Sequence, residues 1–121
     1  MNKILYVEDN EDNIYMLSRR LKRKGFELVI ATDGLEGVEK AKCEQPDLIL
    51  MDLSLPKLDG WAATRIIKSN ETTMNIPIIA LSAHAMEEHK ASAMESGCDD
   101  YDTKPVDMHR LMEKIKRMLD R

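Results

Sequence analysis

The stretch that decides the fold is Leu48-Ile49-Leu50-Met51-Asp52, in which four apolar residues are followed by an acid. An uninterrupted apolar run of this length is typical of a strand that is buried on both faces of a parallel sheet. In open α/β sheets, ligands bind just beyond the carboxyl ends of the central strands. The sequence therefore predicts that Asp52 stands at a reactive edge of the sheet.

Two other apolar runs end in polar residues in the same way. Residues 4–7 lead into Glu8 and Asp9, and residues 78–81 lead into Ser82. Because the carboxyl ends of parallel strands meet at one edge of the sheet, we expect these side chains to share a rim with Asp52.

The rest of the chain alternates apolar runs with longer segments of helical period, which is typical of a βα repeat. Strands are predicted to end at Val7, Ala31, Asp52, Leu81 and Thr103, and helices to start near Asp12, Gly34, Gly60, Met86 and Asp107. Residues 27–31 and 100–103 are less apolar than the other runs and should form the edge strands. With right-handed crossovers, this pattern predicts an α/β fold with a five-stranded, doubly wound parallel sheet in the order 2-1-3-4-5.

Each predicted helix carries an apolar stripe that should face the sheet. The stripes are Ile14, Leu17 and Leu21; Leu35, Val38 and Ala41; Ala63, Ile66 and Ile67; and Leu111, Met112, Ile115, Met118 and Leu119. The fourth helix, near residues 86–96, offers only Ala91, Met94 and neighbouring alanines. We therefore expect it to be the least anchored helix and the element that moves.

The composition limits the class of protein. With 121 residues, of which 43% are hydrophobic, the chain suits a single domain with one core over residues 1–121. No apolar stretch approaches the roughly 20 residues that a membrane-spanning helix needs, so a soluble, cytoplasmic protein is expected. A net charge of -4 disfavours a nucleic-acid surface. Cys43 and Cys98 lack the spacing of a metal site and are expected to be reduced thiols.

Glu8, Asp9 and Asp52 form a candidate metal site. Three carboxylates in one cleft repel one another unless a cation lies between them. Their hard oxygen atoms favour Mg²⁺ over Zn²⁺. The alternative interpretation is that Glu8 and Asp9 only cap the first helix, for which one acid would suffice.

Lys104 follows the fifth strand and precedes Pro105, a position from which its ammonium group can face Asp52. A point cation beside an acceptor carboxylate suits a phosphoryl group. A lysine before a proline in a surface loop is the alternative for this feature alone. The Lys104-Pro105 bond is a candidate for the cis form.

Met16 lies off the apolar stripe of the first helix, so its side chain should face outward beside the rim. Together with Asn13 and Arg20 it could form a docking face for a partner helix. A single exposed methionine without a partner is the alternative.

Taken together, these residues resemble the receiver domains of two-component response regulators, including stand-alone regulators of the chemotaxis type. The resemblance covers the whole chain. Its marks are the acidic pair Glu8-Asp9, the acceptor segment at residues 51–56, Asp59-Gly60, Ser82, Tyr101 and Lys104-Pro105. Glu8 stands where many members have an aspartate, and His84 follows Ser82 by two residues.

The resemblance implies a role for each of these residues. Asp52 would accept a phosphoryl group from a phosphohistidine of a sensor histidine kinase or a histidine phosphotransfer protein. Asp9, Asp52 and the backbone carbonyl of Ser54 would bind Mg²⁺, and Glu8 would hold a metal-bound water. Ser82 and Lys104 would pair with phosphoryl oxygens, and Tyr101 would rotate inward as Ser82 moves. The domain would be a phosphoacceptor that catalyses its own phosphorylation and dephosphorylation, not a conventional enzyme.

Signal output would then occur by protein contact, from a monomer or a weak phosphorylation-dependent dimer. The phosphorylation-sensitive surface is expected on the fourth helix, the fifth strand and the last helix. Its residues, with those of the docking face, are Asn13, Met16, Lys90, Met94, Tyr101, Pro105 and Arg110. A downstream protein target is expected, with neither nucleic acid nor membrane as a partner.

Three alternatives stay open on the sequence alone. The chain could be a receiver excised from a hybrid histidine kinase. It could be a Mg²⁺-dependent phosphatase of the haloacid dehalogenase type, although Ser54 stands where such enzymes have a second aspartate. It could also be a flavodoxin-like cofactor carrier, although its rim is acidic where a flavin phosphate would bind.

Overall fold

The computed structural model describes residues 2–83 and 87–120, and for residues 87–89 it describes the backbone only. Five strands alternate with five helices. The strands are β1 (Lys3–Val7), β2 (Glu27–Ala31), β3 (Leu48–Asp52), β4 (Ile78–Ser82) and β5 (Asp100–Thr103). The helices are α1 (Glu11–Arg23), α2 (Gly34–Glu44), α3 (Gly60–Ser69), α4 (Glu87–Glu95) and α5 (Met108–Leu119).

The strands form one parallel sheet in the order β2-β1-β3-β4-β5, which confirms the predicted topology. The register pairs Val7 with Met51 and Asp52 with Leu81. Because β1 and β3 are neighbours and end level with each other, the residues that follow Val7 lie beside Asp52. The predicted rim is therefore a consequence of strand order and register.

Side chains that alternate along the central strands fill two apolar layers, one on each face of the sheet. Leu5, Val7, Ile49 and Met51 lie in the layer that also contains buried residues of α2, α3 and α4. Ile4, Tyr6, Leu48 and Leu50 lie in the layer formed with α1 and α5. Since both faces are covered, the runs that form β3 and β4 are buried along their whole length, as the apolar sequence indicates.

Four side chains that were expected to face the sheet do not. Leu35 is 54% exposed, Ile66 is 41% exposed, and Ala91 and Met94 on α4 are also exposed. The reason is that small residues form the contacts instead. The buried positions of these helices are Gly34, Gly37 and Ala41; Gly60, Ala63, Thr64 and Ile67; and, near α4, Ala93 and Ser96.

Gly60 brings α3 directly against the end of β3. A Cβ atom at this position would lie 2.3 Å from the carbonyl oxygen of Asp52 and 2.7 Å from the Cα atom of Leu53. No side chain fits there without a shift of the backbone that carries Asp52. The close approach of α3 thus fixes the backbone on which the reactive edge is built.

The helices that begin at the rim are capped by polar side chains. Asn10, Asp33, Asp59 and Asp107 each accept a hydrogen bond from the backbone N–H three residues further on. These contacts satisfy helix N-termini that would otherwise lack acceptors. The first helix therefore begins one residue before the predicted Asp12, and Gly25 ends it with a φ of 96°.

Candidate functional site

Glu8, Asp9 and Asp52 gather at the carboxyl edge of the sheet, as the sequence predicts. One carboxylate oxygen from each residue lies within 4.8 Å of the others. Glu8 is 1% exposed and Asp52 is 4% exposed, whereas Asp9 is open to solvent. The cluster is therefore a partly closed acidic site with one accessible ligand.

Lys104 supplies a positive charge to this cluster. Its ammonium nitrogen Nζ lies 2.7 Å from Glu8 Oε1 and 3.4 Å from Asp52 Oδ2. The Lys104-Pro105 bond is cis, and the Lys104 backbone N–H donates to the Ser82 carbonyl at 2.8 Å. The sequence predicted a lysine that faces Asp52, and the structure adds that its shorter contact is to Glu8.

Burial and mutual repulsion set the protonation of the two buried acids. Burial, together with the neighbouring Glu8, raises the pKa of Asp52 to about 6, although Lys104 opposes the rise. Burial also acts to raise the pKa of Glu8, but hydrogen bonds from Lys104 and Asp52 outweigh it and lower that pKa. Burial disfavours the charge on Lys104, yet Glu8 and Asp52 more than offset this and raise its pKa. Lys104 is therefore charged, and Asp52 is the carboxyl group of the pair that holds a proton more tightly.

The raised pKa predicts that ionised Asp52 destabilises the fold when no divalent cation is present. A rise from 3.8 to about 6 corresponds to about 3 kcal/mol at pH 7 as an upper value. Because the folded state binds this proton more tightly than the unfolded state, the stabilisation is complete below about pH 4 and is lost as the pH rises through about 6. In excess chelator, Asp52→Asn should therefore be more stable than the parent by about 1–3 kcal/mol at pH 7.

Urea unfolding at two pH values checks this prediction. The advantage of the variant should shrink to below about 0.5 kcal/mol near pH 4, where both side chains are neutral. A difference of equal size at both pH values would mean that packing, and not the charge of Asp52, causes it.

The other predicted residues occupy the same edge or its surroundings. Ser82 is buried at the end of β4, and the Ser54 backbone N–H donates to Asp52 Oδ1 at 3.2 Å. Tyr101 is 6% exposed and packs in the core layer of α3 and α4. The ring therefore lies inside in this conformation, and the expected place of Tyr101 on the partner surface stays a prediction. His84 and the predicted helix start at Met86 lie outside the described residues.

The remaining partner-surface residues are accessible. Lys90, Met94 and Arg110 are exposed on α4 and α5. A groove of about 290 Å³ separates α1 from the loop before α5. It is lined by Tyr6, Asn13, Met16, Leu17, Arg20, Lys104, Pro105 and Val106. The predicted docking residues of α1 and Pro105, a residue of the expected partner surface, thus line one groove beside Lys104.

The buried polar contacts of Tyr6 and Asp102 were not predicted from the sequence. Tyr6 is 1% exposed, and its hydroxyl group donates to Glu8 Oε1 at 3.2 Å. Burial, followed by the charge of Glu8, raises the pKa of Tyr6 well above its ordinary value, so the phenol keeps its proton. Asp102 is buried on β5 and accepts a hydrogen bond from Arg110 Nε at 2.7 Å. The period of two along β1 could have revealed the first contact, because it places Tyr6 and Glu8 on one face.

Comparison with known protein families assigns the chain to one of them. A sequence model of the response regulator receiver domain matches residues 4–116, which is nearly the whole chain. The chain belongs to the response regulator receiver family. It is a receiver domain of two-component signalling, and the resemblance drawn from its motifs is confirmed.

Known receivers match this one along its length. It is 36% identical over 116 residues to the polar-differentiation response regulator DivK of Brucella ovis, with 96% of this chain and 94% of DivK covered. It is 42% identical over 118 residues to hybrid signal transduction histidine kinase G of Dictyostelium discoideum, with 95% of this chain but only 3% of that kinase covered. Receiver domains of this family act with histidine kinases or phosphotransfer partners.

A solved structure matches the fold closely. The receiver domain of sensor histidine kinase PA1611 from Pseudomonas aeruginosa PAO1 is 35% identical, with a TM-score of 0.93 over 99% of this chain and 98% of that one. That structure holds a magnesium ion coordinated in its active site cleft. Within the described part of this receiver, none of the helices is both long and apolar enough to cross a membrane.

Proposed function

We propose that this receiver accepts a phosphoryl group on Asp52 from a phosphohistidine, in a reaction that requires Mg²⁺. One observation carries the proposal: a buried carboxylate at the end of a central strand has two further acids within 4.8 Å and an ammonium nitrogen at 3.4 Å. Phosphoryl transfer needs little beyond an aligned nucleophile and positive charge around the transferring group. Asp52 can supply the first, and Lys104 supplies part of the second.

The donor set suits Mg²⁺. The cluster consists of carboxylates alone, and hard oxygen ligands with an open side are what this cation prefers. Asp9, Asp52 and the backbone carbonyl of Ser54 would hold it directly, and Glu8 would hold one of its water molecules. When bound, it would neutralise negative charge on the transferring phosphoryl group.

The chain's own residues account for the transfer step. A carboxylate oxygen of ionised Asp52 forms the new O–P bond as the P–N bond of the phosphohistidine breaks and the imidazole leaves with the electron pair. Because the pKa of Asp52 is about 6, the nucleophile is mostly ionised at neutral pH. Lys104 then turns from Glu8 toward a phosphoryl oxygen, and the Ser82 hydroxyl group donates to another.

The experiment that tests this function uses a small phosphoryl donor. Incubation of the receiver with acetyl phosphate or phosphoramidate and Mg²⁺ should give one added phosphoryl group per chain, seen as a single mass increment. Acyl phosphates are labile in alkali, so the increment should disappear at high pH. Absence of the increment with both donors would contradict the proposal.

The groove between α1 and the loop before α5 is the proposed docking site for the phosphodonor protein. Met16 and Pro105 are exposed on its two sides, and Asn13 lines it between them. Lys104 lines the same groove, so a donor helix seated there would lie next to the acceptor side chain. The kinase or phosphotransfer protein would thus contact Asn13 and Met16 of α1.

The proposed output surface lies on the other side of the rim and contains Lys90, Met94 and Arg110. A phosphoryl group on Asp52 adds charge within reach of Ser82 and Lys104, which are joined through β4 and β5 by the backbone contact at 2.8 Å. Such a group favours the conformer in which Ser82 and Lys104 approach it while Tyr101 stays enclosed. The surface then recruits a downstream protein, in the cytoplasm, from a monomer or a weak dimer.

Ser82→Ala should separate acceptance of the phosphoryl group from its transmission. The variant should gain the phosphoryl group, because Asp52 and Lys104 are intact. It should transmit poorly, because a hydrogen bond to a charged oxygen, worth about 1.5–3 kcal/mol, is lost. The measurement is the change in amide NMR shifts of Lys90, Met94 and Arg110 on addition of beryllofluoride, with Ser69→Ala on α3 as the control. Identical changes in parent and Ser82→Ala would contradict this switch.

The match to a hybrid kinase supports a second arrangement, in which the same domain is one part of a longer kinase chain. The proposed chemistry of Asp52 is the same in both arrangements. They differ in whether the phosphodonor is another molecule or another domain.

A further inference from the structure

Tyr6 is a buried polar residue that is not among the residues of the proposed transfer reaction. It lies on β1, two residues before Glu8, so the two side chains emerge on the same face of the sheet. The ring packs in the core layer of α1 and α5, and its hydroxyl group donates to Glu8 Oε1 at 3.2 Å. The phenol is therefore placed directly beneath the acidic cluster.

Glu8 receives hydrogen bonds on both carboxylate oxygens. Oε1 accepts from the Tyr6 hydroxyl at 3.2 Å and from Lys104 Nζ at 2.7 Å, and Oε2 accepts from the Asn10 backbone N–H at 3.3 Å. A buried carboxylate needs such donors, because its charge loses the solvation of water. The Tyr6 ring and the Asn10 backbone are fixed parts of the fold.

During phosphoryl transfer, Glu8 loses its hydrogen bond from Lys104. Its ammonium nitrogen already lies 3.4 Å from Asp52 Oδ2, so a phosphoryl group on Asp52 attracts it away from Glu8. Of the Tyr6 and Lys104 donors to Glu8 Oε1, only the Tyr6 hydroxyl then remains. If that donor were also missing, Glu8 would retain Lys104 more strongly and oppose the transfer.

We propose that Tyr6 is a positioning residue of the receiver site, whose phenol holds the Glu8 carboxylate in place while Lys104 moves from Glu8 to the phosphoryl group. The inference rests on the proposed function, since it assigns a role within that transfer. It also explains why a tyrosine suits a chain with glutamate at position 8. A glutamate reaches one methylene further than an aspartate, and its carboxylate sits where the phenol can meet it.

The test compares the parent, Tyr6→Phe, Glu8→Asp and the double variant. Tyr6→Phe keeps the ring that packs in the core and removes only the hydroxyl group. The maximal rate of phosphoryl uptake from acetyl phosphate, at saturating Mg²⁺ and per folded chain, should fall about tenfold in Tyr6→Phe. The acetyl phosphate concentration for half-maximal rate should not change, because the hydroxyl group that Tyr6→Phe removes bonds to Glu8 and not to Asp52, where the donor reacts.

In the Glu8→Asp background the shorter acid does not reach the phenol, so adding Tyr6→Phe should change the maximal rate by less than about twofold. Tyr15→Phe is the matched control, since Tyr15 is exposed on α1 and its hydroxyl group contacts Arg19 instead; its rate should equal that of the parent. The same loss of rate in both backgrounds, or a loss below about twofold in the parent background, would overturn the inference.

The two proposals fail in different ways in this experiment. A parent protein that takes up no phosphoryl group overturns the proposed function and the role of Tyr6 together. A parent that is phosphorylated as fast as Tyr6→Phe overturns the role of Tyr6 alone. Urea unfolding of all four proteins distinguishes a positioning role of Tyr6 from a purely structural one. With a purely structural role, Tyr6→Phe would lower the stability in both backgrounds and leave the maximal rates of the folded proteins equal.

Discussion

Asp52→Asn is expected to take up phosphoryl groups from acetyl phosphate at least about a hundredfold more slowly than the parent, while it remains folded. The amide is nearly the same size as the carboxylate, but its oxygen carries no charge and is a poor nucleophile. The remaining groups of the site, Glu8, Asp9 and Lys104, stay in place. The effect therefore isolates the acceptor atom from the surrounding charge.

Stability and a matched variant control this experiment. Because ionised Asp52 is buried beside Glu8, the variant should unfold at a higher urea concentration than the parent at pH 7, which excludes misfolding as the cause of the lost uptake. Asp107→Asn makes the same chemical change at the exposed N-cap of α5, where asparagine caps as well as aspartate. It should be phosphorylated at the parent rate. Uptake by Asp52→Asn above about a tenth of the parent rate would contradict the assignment.

Removal of Mg²⁺ is expected to have an effect of similar size. Without a divalent cation the phosphoryl group meets the charges of Glu8, Asp9 and Asp52, which the single charge of Lys104 offsets only in part. Excess chelator should therefore reduce uptake at least about a hundredfold. Asp9→Asn should weaken Mg²⁺ binding about tenfold or more, because it converts an accessible charged ligand into a neutral one.

Trp61 provides the readout of metal binding. It is the only tryptophan in the chain and follows Gly60, which packs against the Asp52 backbone. Titration of its fluorescence with Mg²⁺ gives the affinity of each variant. Asp12→Asn is the control, since Asp12 is exposed on the first turn of α1 and lies outside the acidic cluster. Equal affinities in Asp9→Asn and Asp12→Asn, or full uptake in chelator, would contradict the metal site.

The fold could be predicted from the sequence because the strands carry a strong, simple signal. The runs that become β3 and β4 are apolar at every position, and parallel strands covered on both faces leave little room for another interpretation. The acidic pair after β1 and Asp52 after β3 then meet because their strands are neighbours. Strand order therefore predicts which acidic residues meet at the site.

The faces of the helices were harder to predict, because hydrophobic periodicity gives no weight to glycine. On α2 the contact with the sheet runs through Gly34 and Gly37, so Leu35 turns outward. On α3 the close approach of Gly60 rotates Ile66 to the surface. Where a helix contacts the sheet through glycine, the contact adds no apolar residue to the sequence pattern, so the pattern does not show which face is buried.

Contacts between polar side chains that are distant in sequence could not be predicted from the sequence either. The closer approach of Lys104 to Glu8 than to Asp52 depends on side-chain lengths and on how the strands are placed. Asp102 stands in an edge strand where sequence reasoning expects a solvent-facing acid, yet Arg110 and Lys114 of α5 cover it. Such pairs form only once helices and strands are placed in three dimensions.

Chemical mapping can identify the atom to which the phosphoryl group is bound, which we propose is a carboxylate oxygen of Asp52. Borohydride reduces an acyl phosphate of aspartate to homoserine, so the position that carried the group can be read by peptide mass spectrometry after phosphorylation with acetyl phosphate and Mg²⁺. We expect homoserine at position 52 alone, and none when the donor or Mg²⁺ is omitted. Homoserine at Asp9 or another aspartate, with position 52 unmodified, would contradict it.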